Sequence, residues 1–294
     1  MEFREMALAR LFQLAAWTSV ALIVAFYAWI TVAPGGYPGA PFAAVAMLLI
    51  LALLLKLGGH QTAPFWESVP EPEQATRVIA VVAVSCALQL GVSVVLEAVG
   101  SFNWIAANLL YQVVWAGVPL VALASGFVRW PRRTGRPATK TLLALGALAV
   151  IIAVGAGYIG AIAYDGVRGT TVSSAIIAGI AIVLGATTEE IVYRVLLLTA
   201  IMTVSRSGFS ALILSSLIFA LIHIPPALVM ALGTQDWASL PADLQAALPA
   251  LVWTIGFGFI FGALWIRTGS ILLVCVVHSI CNLGPVLIGG LNSL

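Results

Sequence analysis

The sequence predicts an all-α fold, a polytopic transmembrane helical bundle of about nine spans. Three observations predict it. The chain of 294 residues is 62% hydrophobic and only 8% charged, where soluble domains carry about a quarter charged residues. Its apolar residues fall into long runs bounded by Gly, Pro or charge, of the length that crosses a bilayer as helix. Its cations gather in alternate connections between those runs, the asymmetry expected of cytoplasmic loops.

In chain order the runs are 11–33, 41–57, 77–99, 103–127, 141–163, 171–204, 208–230, 248–267 and 270–291. The first follows Arg4 and Arg10. It is longer than a signal-peptide core of about 7–15 residues, so it reads as an anchor that stays in the protein. The sixth run would extend ~51 Å as helix, against a hydrocarbon core of ~30 Å. It reads either as one tilted helix projecting into water or as a span followed by a re-entrant piece. Charge decides. Counted as one crossing, with the N-terminus cytoplasmic, it leaves Arg4, Arg10, Lys56, Arg77, Arg129, Arg132, Arg133, Arg136, Lys140, Arg206 and Arg267 inside, and only Arg168 outside. Splitting it worsens that balance. Nine crossings follow, with the C-terminus outside, a topology suited to a bacterial inner membrane.

Trp29, Trp66, Trp104, Trp130, Trp237 and Trp265 fall near span ends and read as interfacial anchors. Cys86, Cys275 and Cys281 lie in apolar runs and read as small buried apolar residues, with no disulfide pattern. No basic face or arm exists for phosphates, which excludes nucleic acid as a partner. The basic, Pro-containing loop 128–140 divides the chain. Residues 1–140 form a four-span region of unassigned role, polar at Gln89, Glu97 and Gln112. Residues 141–294 hold everything that looks chemical, concentrated in 171–294.

Within that second part, charged and polar side chains stand inside apolar runs, and an intramembrane ionisable group points to function. In T-T-E-E-I-V-Y-R at 187–194, Glu190 and Arg194 are i, i+4 and share a face. Pairing makes either charge far cheaper to bury. Glu189 lies about 100° round the helix without that partner and is left free to accept a proton. In F-A-L-I-H at 219–223, His223 precedes Pro225 and Pro226, which bend the helix and open room for water. In H-S-I-C-N at 278–282, His278 and Asn282 are i, i+4 and can aim donors at one anion.

Counted from the basic ends of their runs at 1.5 Å per residue, Glu189 and His223 lie ~22 Å deep, Asn282 ~18 Å and His278 ~12 Å. These depths allow all of them to meet near the middle of the bilayer. The chemistry that suits them is hydrolysis: Glu189, assisted by His223, polarises a water, while His278 and Asn282 stabilise the oxyanion. The alternative is a metal site, with Glu189, His223 and His278 as ligands to Zn²⁺ and water as the fourth. The absence of H-E-x-x-H favours the metal-free version.

Taken together, E-E-x-x-x-R (Glu189, Glu190, Arg194), F-x-x-x-H (Phe219, His223) and H-x-x-x-N (His278, Asn282) resemble the CPBP family of intramembrane proteases, which contains the type II CaaX prenyl endopeptidases. The stretch G-F-G-F-I-F-G-A-L-W-I-R-T-G-S at 256–270 resembles that family's Gly-rich span and turn. The resemblance implies a C-terminal CPBP-like core and an endopeptidase acting on a membrane-associated peptide or lipidated protein tail in the bilayer. It implies that Glu189 and His223 activate water, that His278 and Asn282 form the oxyanion hole, and that Glu190, Arg194 and Phe219 support them. Members of the family are discussed both as metalloproteases, with zinc as the implied metal, and as glutamate proteases. Val195 stands where the family often has Gly, a change in packing near the site. A non-catalytic membrane module that binds peptide or protein on the same core is the second reading. Proton-coupled transport is the third, and the unlike halves of the chain count against it.

Overall fold

In the computed structural model the described residues are 2–33, 37–57, 64–69, 71, 73–98, 104–163, 172–224 and 240–291. The expected bend at Pro225 and Pro226 and the Trp237 anchor lie outside them, as does the side chain of Trp104. The helices are α1 (Glu2–Val32), α2 (Ala40–Leu57), α3 (Glu73–Ala98), α4 (Trp104–Ala124), α5 (Thr139–Ala163), α6 (Val172–Glu190), α7 (Thr199–Ser205), α8 (Gly208–Leu221), α9 (Leu240–Thr268) and α10 (Ile271–Leu291). A π-helical segment, Ile191–Leu198, joins α6 to α7.

Among the described residues five helical segments are long and apolar enough to cross a membrane: Met6–Val32, Glu73–Leu96, Thr139–Tyr158, Ile176–Ser205 and Ala250–Thr268. Four shorter apolar helices, Ala40–Lys56, Leu110–Ala124, Gly208–Leu221 and Ile271–Leu283, complete an all-α membrane bundle. Each falls on one predicted run. Large apolar side chains such as Leu49, Ile151 and Leu272 point outward, as lipid-facing residues do and as the surface of a water-soluble monomer does not. The sixth run is one continuous helical rod through Ser205, so the re-entrant alternative falls away.

Helices packing in lipid gain little from the hydrophobic effect and rely on close contact between small residues. The Gly-rich span supplies it on α9. A Cβ at Gly258 would stand 2.8 Å from Ser216 Cβ on α8, and one at Gly262 would stand 2.6 Å from Leu212 Cδ1. On another face of α9, a Cβ at Gly256 would meet Met47 of α2 at 2.7 Å. These three glycines therefore bring α9 against two neighbours at once.

One end of the bundle carries a feature that the helical reading did not anticipate. Two short strands, β1 (Trp66–Glu67) and β2 (Arg132–Arg133), pair antiparallel between the loops before α3 and α5. Trp66 Nε1 donates to Gly269 O at 2.8 Å, and Ser68 N donates to Thr203 Oγ1 at 3.1 Å. The ladder thus clasps the α9–α10 turn and the end of α7. Gly269 sits at φ +55°, where a side chain would be strained, and a Cβ there would meet Phe65 at 2.7 Å. Trp66 and Trp265 are consequently not free interfacial anchors: their rings stack at 5.7 Å, and Trp265 is buried. The strand residues Arg132 and Arg133 and the turn after Arg267 meet here.

Candidate active site

The π-helical segment begins directly after the glutamate pair. Thr199 Oγ1 donates to Arg194 O, five residues back, at 3.0 Å. Residues 192–201 are buried on every side. The segment's polar residues, Tyr193 and Arg194, are buried with the rest, so its polar pattern marks neither an exposed face nor the wider helix. Such segments recur at functional sites because they re-aim the side chains around them.

The i, i+4 pair forms as the spacing requires. Arg194 Nε lies 3.0 Å from Glu190 Oε2, with both side chains fully buried. The contact is an ion pair whose angle is not that of a hydrogen bond. The other carboxylate oxygen, Oε1, meets His278 Nδ1 at 2.8 Å. Glu190 is therefore held between a guanidinium on its own rod and an imidazole on α10. Aromatic rings enclose the group. The Arg194 guanidinium carbon stands 4.7 Å from the Phe219 ring centre and 5.9 Å from that of Phe261. Phe261 also stacks on His278 at 4.6 Å. A cation over a ring face in a desolvated site gains about 2 kcal/mol or more, which offsets part of the cost of burying it.

Glu189 has a different environment. Its side chain is 26% exposed, and its Oε2 lies 3.8 Å from His278 Nε2. That is beyond a direct hydrogen bond, though bonds of this kind often tighten only when substrate is present. The Nδ1 contact with Glu190 directs the other ring nitrogen of His278 toward Glu189.

His223 stands just past the end of α8, where the backbone before Pro225 leaves the helix. Its Nδ1 lies 2.8 Å from Phe219 O, the geometry of an Nδ1–H donor, which leaves Nε2 as acceptor. Phe219 touches both imidazoles, with ring centres 5.0 Å from His223 and 6.0 Å from His278. No ion pair links His223 to Glu189 among the described residues. Asn282 is exposed on α10, one turn beyond buried His278, and makes no hydrogen bond among the described residues. Val195 is fully buried in the π-helical packing.

The metal alternative requires Glu189, His223 and His278 to converge on one point. Among the described residues no three His, Cys, Asp or Glu side chains are placed to share an ion. His278 Nδ1 is committed to Glu190 and His223 Nδ1 to its own helix, which leaves both Nε2 atoms free; it is the failure of the three side chains to converge among the described residues that does not fit a three-ligand zinc site. Cys275, Cys281 and Cys86 are free thiols.

Phe261 and Tyr193 were not anticipated as part of the site. Tyr193 is fully buried, packed on Phe219 at 5.3 Å and Trp115 at 6.2 Å. The aromatic–glycine alternation at 256–262 was a usable signal for Phe261. Residues 171–284, less than half of the chain but including every motif residue above, match the family described as Type II CAAX prenyl endopeptidase Rce1-like. No curated protein and no solved structure matches the chain.

Proposed function

We propose that this protein is an intramembrane endopeptidase that hydrolyses a peptide bond of a membrane-associated or lipidated substrate through a water activated by Glu189, a reading supported by the match of residues 171–284 to the Type II CAAX prenyl endopeptidase Rce1-like family. The observation that carries the reading is the division between adjacent carboxylates. Glu190 is buried and doubly engaged, while Glu189 is partly exposed beside the free edge of His278.

In this mechanism Glu189 takes a proton from water as its oxygen bonds to the scissile carbonyl carbon. The negative charge moves to the carbonyl oxygen, where the Asn282 amide and His278 Nε2, in an imidazolium whose Nδ1–H is held by Glu190, donate hydrogen bonds. Collapse reforms the carbonyl and breaks the C–N bond. The proton held by Glu189 passes to the leaving amine, giving one acid and one amine from one water. His223, with Nε2 as acceptor, assists proton transfer from the side of Phe219. Glu190 and Arg194 fix the imidazole of His278. The basic end faces the cytoplasm, where the cations of loop 128–140 sit against the anionic leaflet.

The test is turnover of quenched-fluorescence peptides carrying a prenylated C-terminal CaaX sequence, with the protein reconstituted in liposomes. Wild type cleaves, and Glu189→Ala and His223→Ala do not, while both variants keep the wild-type unfolding temperature. Zinc measured on the same purified protein is substoichiometric, and chelator leaves the rate unchanged. Equal function of both variants in the host membrane would move the assignment to a non-catalytic binding module.

A further inference from the structure

In the region before the family-matched segment, Gln89 and Gln112 stand near the middle of their helices, and the structure treats them differently. Gln89 on α3 accepts from Trp115 Nε1 of α4 at 2.8 Å, an ordinary interhelical bond. Gln112 on α4 makes no hydrogen bond among the described residues. Its neighbours on α4 are committed: Trp115 to Gln89, and Tyr111 through its hydroxyl to Ser93. Those two bonds fix the rotation of α4 on α3 and leave the Gln112 amide free of both.

The amide lies instead on Gly185 of α6. A Cβ at that glycine would stand 2.7 Å from Gln112 Nε2 and 3.1 Å from its Oε1. Gly185 is mid-helix, so its own backbone groups are used within α6. Gly185 and Glu189 are i, i+4, on the same face and about 6 Å apart along the axis. Glu189 is partly exposed and Gln112 half-buried, so neither side chain is sealed inside the bundle. An amide with no partner among the described residues of an apolar bundle has hydrogen-bonding capacity left for a ligand, and a glutamine presents both donors and an acceptor. That set matches the N–H and C=O of one peptide residue, the groups that every extended substrate must bury on entering the bilayer.

We propose that Gln112 is a substrate-binding residue. Its amide hydrogen-bonds the main chain of the peptide one helical turn from Glu189, in a notch made by the missing side chain of Gly185. The four N-terminal spans thereby contribute a wall of the substrate lane that the family-matched segment does not supply. The assignment rests on the endopeptidase reading above.

The test uses the full chain in liposomes with the prenylated CaaX reporter, and separates KM from kcat. Gln112→Leu is expected to raise KM about 3- to 10-fold, the value of one net hydrogen bond, with kcat within about twofold. Gly185→Ala pushes the amide aside while suiting the helix, and is expected to raise KM to the same degree. In the double variant the effects do not add, because both remove one interaction. Gln112→Asn, with a shorter arm, falls between wild type and Gln112→Leu. Unchanged KM in Gln112→Leu with wild-type turnover, or additive effects in the double variant, overturns this inference alone. A wild type that leaves every reporter uncut overturns the reading beneath it and this inference together.

Discussion

Glu190 and Arg194 carry opposite charges at i, i+4 with no exposure at all, so neither tolerates the loss of the other. Removing one partner of a buried pair strands a charge at a cost of about 3–5 kcal/mol. Arg194→Leu should therefore lower the unfolding temperature of the purified protein in detergent sharply, and Glu190→Leu/Arg194→Leu should recover part of that loss. A double variant no more stable than Arg194→Leu alone would contradict the assignment of a structural pair. Phe261 belongs to the same argument through its stack on His278 and its place near Arg194. Phe261→Leu keeps most of the volume but loses ring contacts that contribute about 0.5–1.5 kcal/mol. It should slow turnover of the reporter more than it lowers the unfolding temperature. The pairing of Glu190 with Arg194 was legible from spacing alone. The engagement of Glu190 by His278 was not, because those residues are distant in sequence and only the packing of α10 on α6 joins them.

At the scale of elements, the apolar runs gave each described helix, since a bilayer demands length and hydrophobicity that composition exposes directly. The π-helical segment stayed hidden because its residues from Val192 to Leu198 are all buried, polar and apolar alike. The strand clasp stayed hidden because two residues per strand, in a loop rich in Pro and charge, carry no alternating pattern. Trp66 read as an interfacial anchor for the same reason, since its partner Trp265 is far away in sequence. The glycines of α9 make a local claim that can be measured. At Gly258 an added methyl meets both Cβ and backbone Cα of Ser216, at 2.8 and 3.1 Å, so α8 and α9 must separate. Gly258→Ala should cost about 1–3 kcal/mol, the usual range for overpacking, seen as a lower unfolding temperature. An unchanged temperature would mean that α8 and α9 are not pressed together there.

The whole molecule joins two unlike parts. α2 packs on α9, α4 on α6, and the β1–β2 clasp holds the α9–α10 turn that leads into the helix carrying His278. A chain cut to residues 141–294 should thus unfold at a lower temperature than the full chain, and Trp66→Ala should lower reporter turnover without any contact with the site. Equal stability of the shortened chain would show that residues 1–140 are an independent appendage. The two neighbouring carboxylates have unequal roles, and one paired comparison tests this: kcat/KM and unfolding temperature for Glu189→Gln and Glu190→Gln on the prenylated reporter. Glu189→Gln should lose about a hundred- to ten-thousand-fold in kcat/KM, the range for a lost general base, at an unchanged unfolding temperature. Glu190→Gln should lose stability as well as rate. Full activity in Glu189→Gln would contradict the account.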